Sequence, residues 1–177
     1  MRHIISALVE NEFGVLARVA GLFSGRGFNI ESLCVAETMD PSVSAMTIVT
    51  TGSDAILEQI LKQLNKLINV IKVTDFKEAE YVTREMVLVK MKAEEKVREE
   101  ILRMAEIFRG RVVDVSPNTY TVEVTGTEEK VRAFLTLVKP LGIKEIVRTG
   151  PIAMMRGDKG IKVKVKSKGG EDDEGLL

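Results

Sequence analysis

Apolar and polar positions alternate along this chain in two successive runs of the same rhythm. Ile4, Ile5, Ala7, Leu8 and Val9 form an apolar run of strand length. Val15, Leu16, Val19, Leu22 and Phe23 then recur at helical spacing, with Asn11 where an N-cap is expected and Gly25-Arg26-Gly27 as the stop. Phe28 and Ile30 alternate in one phase and Leu33 and Val35 in the other, so the slip at Glu31-Ser32 predicts a β-bulge. Asp40-Pro41-Ser42 reads as a turn, and Met46, Ile48 and Thr50 as a third strand. Gly52-Ser53-Asp54 stops that strand and caps a helix with one apolar stripe: Ile56, Leu57, Ile60, Leu61, Leu64, Leu67 and Ile68. Val70, Ile71 and Val73 supply a fourth strand, ending near Phe76. The order is β-α-β-β-α-β.

The second run repeats it. Residues 86–91 alternate as a strand, and residues 93–109 form a helix with Val97, Ile101, Met104, Ala105 and Phe108 on one face and Gly110 at its end. Val112, Val113 and Val115, the turn Ser116-Pro117-Asn118, and Tyr120, Val122 and Val124 predict a hairpin. Thr127 caps the last helix, Glu128 and Glu129 lie at its positive end, and Val131, Phe134, Leu135 and Val138 are its buried stripe. Pro140 and Gly142 end it, and Ile143, Ile146 and Val147 begin a last strand. The fold class is α+β: two tandem ferredoxin-like domains, each an antiparallel four-stranded sheet with two helices on one face. The expected boundaries are 1–77 for the first domain, 78–85 for a linker and 86–160 for the second domain. The alternating lysines and the acidic run that fill 161–177 read as a solvated, disordered tail.

Composition narrows the function. The 177 residues carry 26 Lys plus Arg and 26 Asp plus Glu, a balance that argues against a nucleic-acid or anionic-membrane footprint. Cys34 is the one cysteine, which excludes a disulfide framework within the chain. The sequence has no signal-peptide h-region and no apolar run near the ~18 residues of a membrane span, so a cytoplasmic protein is expected.

Candidate chemistry is sparse. His3 is the only histidine, and one His with one Cys makes no metal cluster. A Cys34–His3 nucleophile pair and an RNA-binding sheet are the competing readings, the second weakened by few aromatics and balanced charge. Glu94, Glu95, Glu99 and Glu100 interleave with Lys96, Arg98 and Arg103 as a solvated helix face. The first turn is more suggestive. A helix start presents unpaired N–H groups and partial positive charge, Gly14 leaves the approach open, and the Asn11 amide both donates and accepts. A carboxylate such as that of a free amino acid fits there. A capping Asn and a turn Gly are also ordinary structural choices, so the turn alone does not decide.

Longer strings do. The opening from Met1 to Ser6, Glu10-Asn11-Glu12-Phe13-Gly14-Val15-Leu16-Ala17-Arg18, and Gly21-Leu22-Phe23-Ser24-Gly25-Arg26-Gly27-Phe28-Asn29-Ile30-Glu31-Ser32-Leu33 resemble the small, regulatory subunits of acetolactate (acetohydroxyacid) synthase. Glu106-Ile107-Phe108-Arg109-Gly110 and Arg156-Gly157-Asp158-Lys159 resemble the same family in the second half, and the resemblance spans about residues 1–160. It implies that 1–77 is an ACT domain, an amino-acid sensor, followed by the family's C-terminal domain. It further implies a homodimer through the ACT domains and a separate catalytic subunit carrying thiamine diphosphate, FAD and Mg²⁺. The chain then has no cofactor and is no enzyme on its own. It activates the partner and confers feedback inhibition by valine, or by isoleucine or leucine, in branched-chain amino-acid biosynthesis. Carried over by position, Asn11, Gly14, Asn29 and Ala36 hold the effector or tolerate feedback-resistant change. Val15 and Leu16 offer backbone N–H groups, and Ile30 to Val35 a wall. Another ACT-type amino-acid sensor is the alternative.

Overall fold

The computed structural model describes residues 1–77 and 79–158; the expected tail, 161–177, lies outside them. The first run folds as β1 (Arg2–Glu10), α1 (Val15–Ser24), β2 (Ile30–Glu37), β3 (Val43–Thr51), α2 (Asp54–Leu64) and β4 (Val70–Asp75). The sheet order is β2-β3-β1-β4, all neighbours antiparallel. Alternation along a strand sends Ile5, Ala7 and Val9 of β1, with Met46 and Ile48 of β3, to one face. There they close a core with Val15, Val19, Leu22 and Phe23 of α1 and Leu57, Ile60 and Leu64 of α2. The predicted bulge is present, between Ile30 and Ser32. It shifts the strand by one position, so Ile30 and Leu33 both reach this core, which strict alternation forbids. Ser53 caps α2 by accepting from the Ile56 N–H, as its sequence predicts. Ile68 departs from the predicted stripe and is 89% exposed, because α2 ends at Leu64 and Ile68 falls in the turn that follows.

The second run gives β5 (Tyr81–Lys92), α3 (Glu95–Ile107), β6 (Arg111–Ser116), β7 (Thr119–Gly126), α4 (Glu128–Val138), a 3₁₀ turn, β8 (Ile143–Arg148) and β9 (Ile152–Met155). Its sheet order, β6-β7-β5-β8, repeats that of the first. Val87, Val89 and Met91 of β5 and Val122 and Val124 of β7 pack on Ile101, Ala105, Val131, Phe134 and Val138. Two features depart from expectation. β5 starts at Tyr81, so 81–85 of the expected linker is strand, and Glu85 is buried within it. The four-residue strand β9 pairs with β5 and makes a fifth strand, too short to show a period of its own. The chain divides into two compact units: Met1–Val82 together with the described residues from Ala153 on, and Thr83–Ile152. In the first, the Ala153 N–H donates to Thr47 Oγ1 at 3.4 Å.

The end of α3 shows why a glycine sits there. The residue with positive φ is Arg109, at 50°, not Gly110. Gly110 is required instead for close approach: a Cβ there meets the Glu123 carbonyl oxygen at 2.7 Å and Val124 Cγ2 at 2.8 Å. Both neighbours belong to β7, one of them backbone. Gly110→Ala is therefore expected to lower stability by about 1–3 kcal/mol through overpacking, read as an earlier midpoint in urea unfolding with an unchanged slope.

Candidate functional site

The turn between β1 and α1 is built differently from its sequence reading. Asn11 is not the N-cap. Its N–H donates to the Ser42 carbonyl at 2.7 Å and its Nδ2 to the Pro41 carbonyl at 2.9 Å, so both groups are committed to the β2–β3 turn. Gly14 holds the cap position, with φ 84° and ψ −7°, and no side chain caps the helix. A left-handed φ suits glycine, and a Cβ there meets nothing within 4 Å. α2 and α4 have a capping hydroxyl and acidic residues in the first turn, and α3 has Glu95. α1 has neither a side-chain cap nor an acid in its first turn, so no side chain of that turn meets its partial positive charge.

The remaining expected residues fall in two places. Val15 is 3% exposed and its N–H reaches the Glu12 carbonyl at 3.3 Å, whereas Leu16 is 46% exposed. Val35 and Ala36 lie on β2, an edge strand, opposite Met46 and Ala45, which puts them at the turn's end of the sheet. Ile30 pairs with Thr50, whose hydroxyl donates to the Asn29 carbonyl at 2.7 Å. Those two residues stand at the other end, about 20 Å away at ~3.3 Å per strand residue. One chain thus places Asn11, Gly14, Val15, Leu16, Val35 and Ala36 at one end of the sheet, and Asn29 and Ile30 at the other.

Charge is fixed around these elements. The Ser42 hydroxyl and N–H both donate to Asp40 and hold its carboxyl below the usual range, which stiffens the turn that receives Asn11. Next to Ile30, the Thr51 hydroxyl and then Arg2 lower the Glu31 carboxyl. A further polar set was not legible in the sequence. Arg18 Nη1 donates to Asn69 Oδ1 at 2.5 Å, and Asn69 Nδ2 donates to Glu10 Oε2 at 2.6 Å and Glu12 Oε2 at 3.4 Å. Asn69 is 58 residues from Asn11 along the chain, in the turn before β4, and no local pattern marks it.

The competing chemistries find no support in the geometry. Cys34 is paired with Thr47 and His3 with Thr50, three positions along β3, so their side chains leave opposite faces of the sheet. His3 is 5% exposed and its Nε2 lies 3.1 Å from the Gly52 carbonyl. Phe23, Phe76 and Phe134 are buried, and Phe28, Phe108 and Tyr120 pack on the cores, which leaves no aromatic platform for bases among them. No helix among the described residues is long and apolar enough to cross a membrane.

Comparison with known proteins gives the family. The family model described as an AHAS small subunit-like ACT domain matches residues 5–72, and that described as the small subunit of acetolactate synthase matches 84–157. The probable acetolactate synthase small subunit of Methanothermobacter thermautotrophicus is 58% identical over 158 residues, covering 89% of this chain and 94% of that one. The chain belongs to the acetolactate synthase small-subunit family. The Escherichia coli isozyme 3 small subunit is 50% identical over 160 residues, 90% of this chain and 98% of its own. The crystal structure of the Thermotoga maritima acetolactate synthase small subunit superposes with a TM-score of 0.83 at 42% identity, covering 89% of this chain and 99% of that one. The first unit is thus an ACT domain of the small-subunit type, and the role of the chain is regulatory.

Proposed function

We propose that the chain senses an aliphatic amino acid at the start of α1 and passes that signal to a catalytic large subunit of acetolactate synthase. The effector carboxylate docks on the first-turn N–H groups beside Gly14, and Val35, on the face of the sheet that carries α1, contacts the side chain. Valine is the expected effector, with isoleucine and leucine as its near neighbours. The condensation of pyruvate to 2-acetolactate belongs to the partner, which carries thiamine diphosphate, FAD and Mg²⁺. This chain contributes no catalytic group, and both subunits work in the cytoplasm.

The observation that carries this reading is the start of α1, with no capping side chain and no acid in its first turn, beside a left-handed Gly14 with open space over its Cα. The separation of these residues along β2 supports a homodimer as well. Antiparallel pairing of two β2 edges about a two-fold axis sets the partner's Asn29 and Ile30 against Val35 and Ala36, beside the turn. Phe13, Leu16, Val35 and Met39 are all exposed near that end, an apolar surface suited to a second copy.

Thermal unfolding of the chain against each of the twenty amino acids tests the reading. An effector at ~100 times its Kd stabilises the native state by ~2.7 kcal/mol, several degrees in a domain of this size. The expected shift is confined to valine, isoleucine and leucine, and its ranking names the effector. No shift with any of the three, with the chain alone and with the catalytic subunit added, overturns it.

A further inference from the structure

We propose that Asn69 is the positioning residue of the effector turn, clamping it in the one conformation that admits a ligand; this inference rests on the reading of that turn given above. The turn does not hold itself. Gly14 has the widest conformational range of any residue, no side chain caps the helix, and the turn's internal bond, Val15 N–H to the Glu12 carbonyl, is long at 3.3 Å. On one side Asn11 ties it to Pro41 and Ser42. On the other side stands Asn69.

The chemistry of that contact calls for an amide. Arg18 is donor-only and the carboxylates of Glu10 and Glu12 are acceptor-only. A side chain that bridges them must accept from the first and donate to the others. The Asn69 carboxamide does both, its oxygen on Arg18 Nη1 and its nitrogen on Glu10 and Glu12. The bridge joins three consecutive pieces: the last residue of β1, the turn itself and the first turn of α1. Charge assistance makes such bonds stronger than neutral ones, and 7% exposure shields them from competing water. The pairing of β1 with the Asn69 backbone is separate, through the Glu10 N–H to the Asn69 carbonyl at 2.9 Å, and survives any side-chain change. Removing the amide therefore frees the turn without unpairing the strand.

The test is Asn69→Leu in the full chain, with Arg18→Met as a second variant at an exposed position and Ile60→Val as a core control remote from the turn. Two quantities are measured: amide hydrogen exchange without ligand, and the Kd of valine by calorimetry. In Asn69→Leu, exchange at the turn's bonded amides, Asn11 and Val15, is expected to rise about tenfold with β3 unchanged, and the valine Kd to weaken about tenfold. Arg18→Met moves both in the same direction, and the double variant is no worse than Asn69→Leu, because the two act as one unit. Ile60→Val lowers Tm and leaves both readouts alone. Unchanged exchange at Asn11 and Val15 overturns the clamp, and faster exchange with an unchanged Kd overturns its link to the effector. Faster exchange in a chain whose wild type binds no aliphatic amino acid upholds the clamp and sinks the effector reading instead.

Discussion

Gly14→Asp is expected to abolish the response to the effector while leaving the fold in place. At φ 84° a non-glycine residue is strained by about 1 kcal/mol, and Asp is among the side chains that tolerate this region best. No atom stands within 4 Å of the new Cβ, so packing is undisturbed. The carboxylate, however, arrives at the positive end of α1. It can satisfy the first-turn N–H groups as a cap does, and it repels the carboxylate of an incoming amino acid. Seat and charge are lost together. The ligand-free variant should unfold within a few degrees of wild type, show no shift with valine, isoleucine or leucine, and, assembled with the catalytic subunit, give activity that valine does not inhibit. A valine shift preserved in Gly14→Asp would place the effector elsewhere.

The largest stability effect is expected in the second unit, at Arg148. Its Nε and Nη2 donate to the two oxygens of Glu85 at 2.5 and 3.0 Å, a fork-to-fork pair. The Glu85 side chain is 1% exposed and that of Arg148 44%. The Glu85 hydrogen bonds, and then its charge, raise the Arg148 guanidinium above its ordinary range, so the arginine stays charged. Arg148→Leu strands a carboxylate in the interior with no counterion. Breaking a buried pair from one side costs about 3–5 kcal/mol. The outward-facing half of this one brings the expectation to the lower end, or roughly 10–20 °C in Tm for a domain of this size. Glu85→Met in the same chain removes the stranded charge and should recover most of the loss, since replacing both partners by apolar groups is close to neutral. If the double variant is no more stable than Arg148→Leu alone, the cost arises from lost packing of the arginine stem and not from the uncompensated carboxylate.

Much of the fold was legible from local signals because the forces that set it are local. The stripes on α2, α3 and α4 follow from 3.6-residue periodicity, and the alternation in β1, β3 and β7 from the two-residue period of a strand. Even the bulge at Glu31-Ser32 left its mark as a change of phase, since both sides of it bury apolar groups in one core. Ser53 and Thr127 could be named as caps because a hydroxyl reaches an N–H three residues on, within one turn. Asn11 misled for the same reason. An Asn ahead of a helix has the local signature of a cap, and only the β2–β3 turn, some thirty residues on, offers it better acceptors.

By itself, then, the sequence determined the two βαββαβ runs and their cores, all from spacings of a few residues. Tertiary structure decided the rest. It placed Val35 and Ala36 at the end of the sheet where the β1–α1 turn lies and Asn29 and Ile30 at the far end, and it set Cys34 and His3 on opposite faces. It also drew Asn69 to Glu10 across 59 positions and Arg148 to Glu85 across 63. Apolar periodicity reports which face of an element is buried. It carries no record of which polar group waits on the next element, because a hydrogen bond is set by distance and direction in space, and those exist only once the sheets have formed.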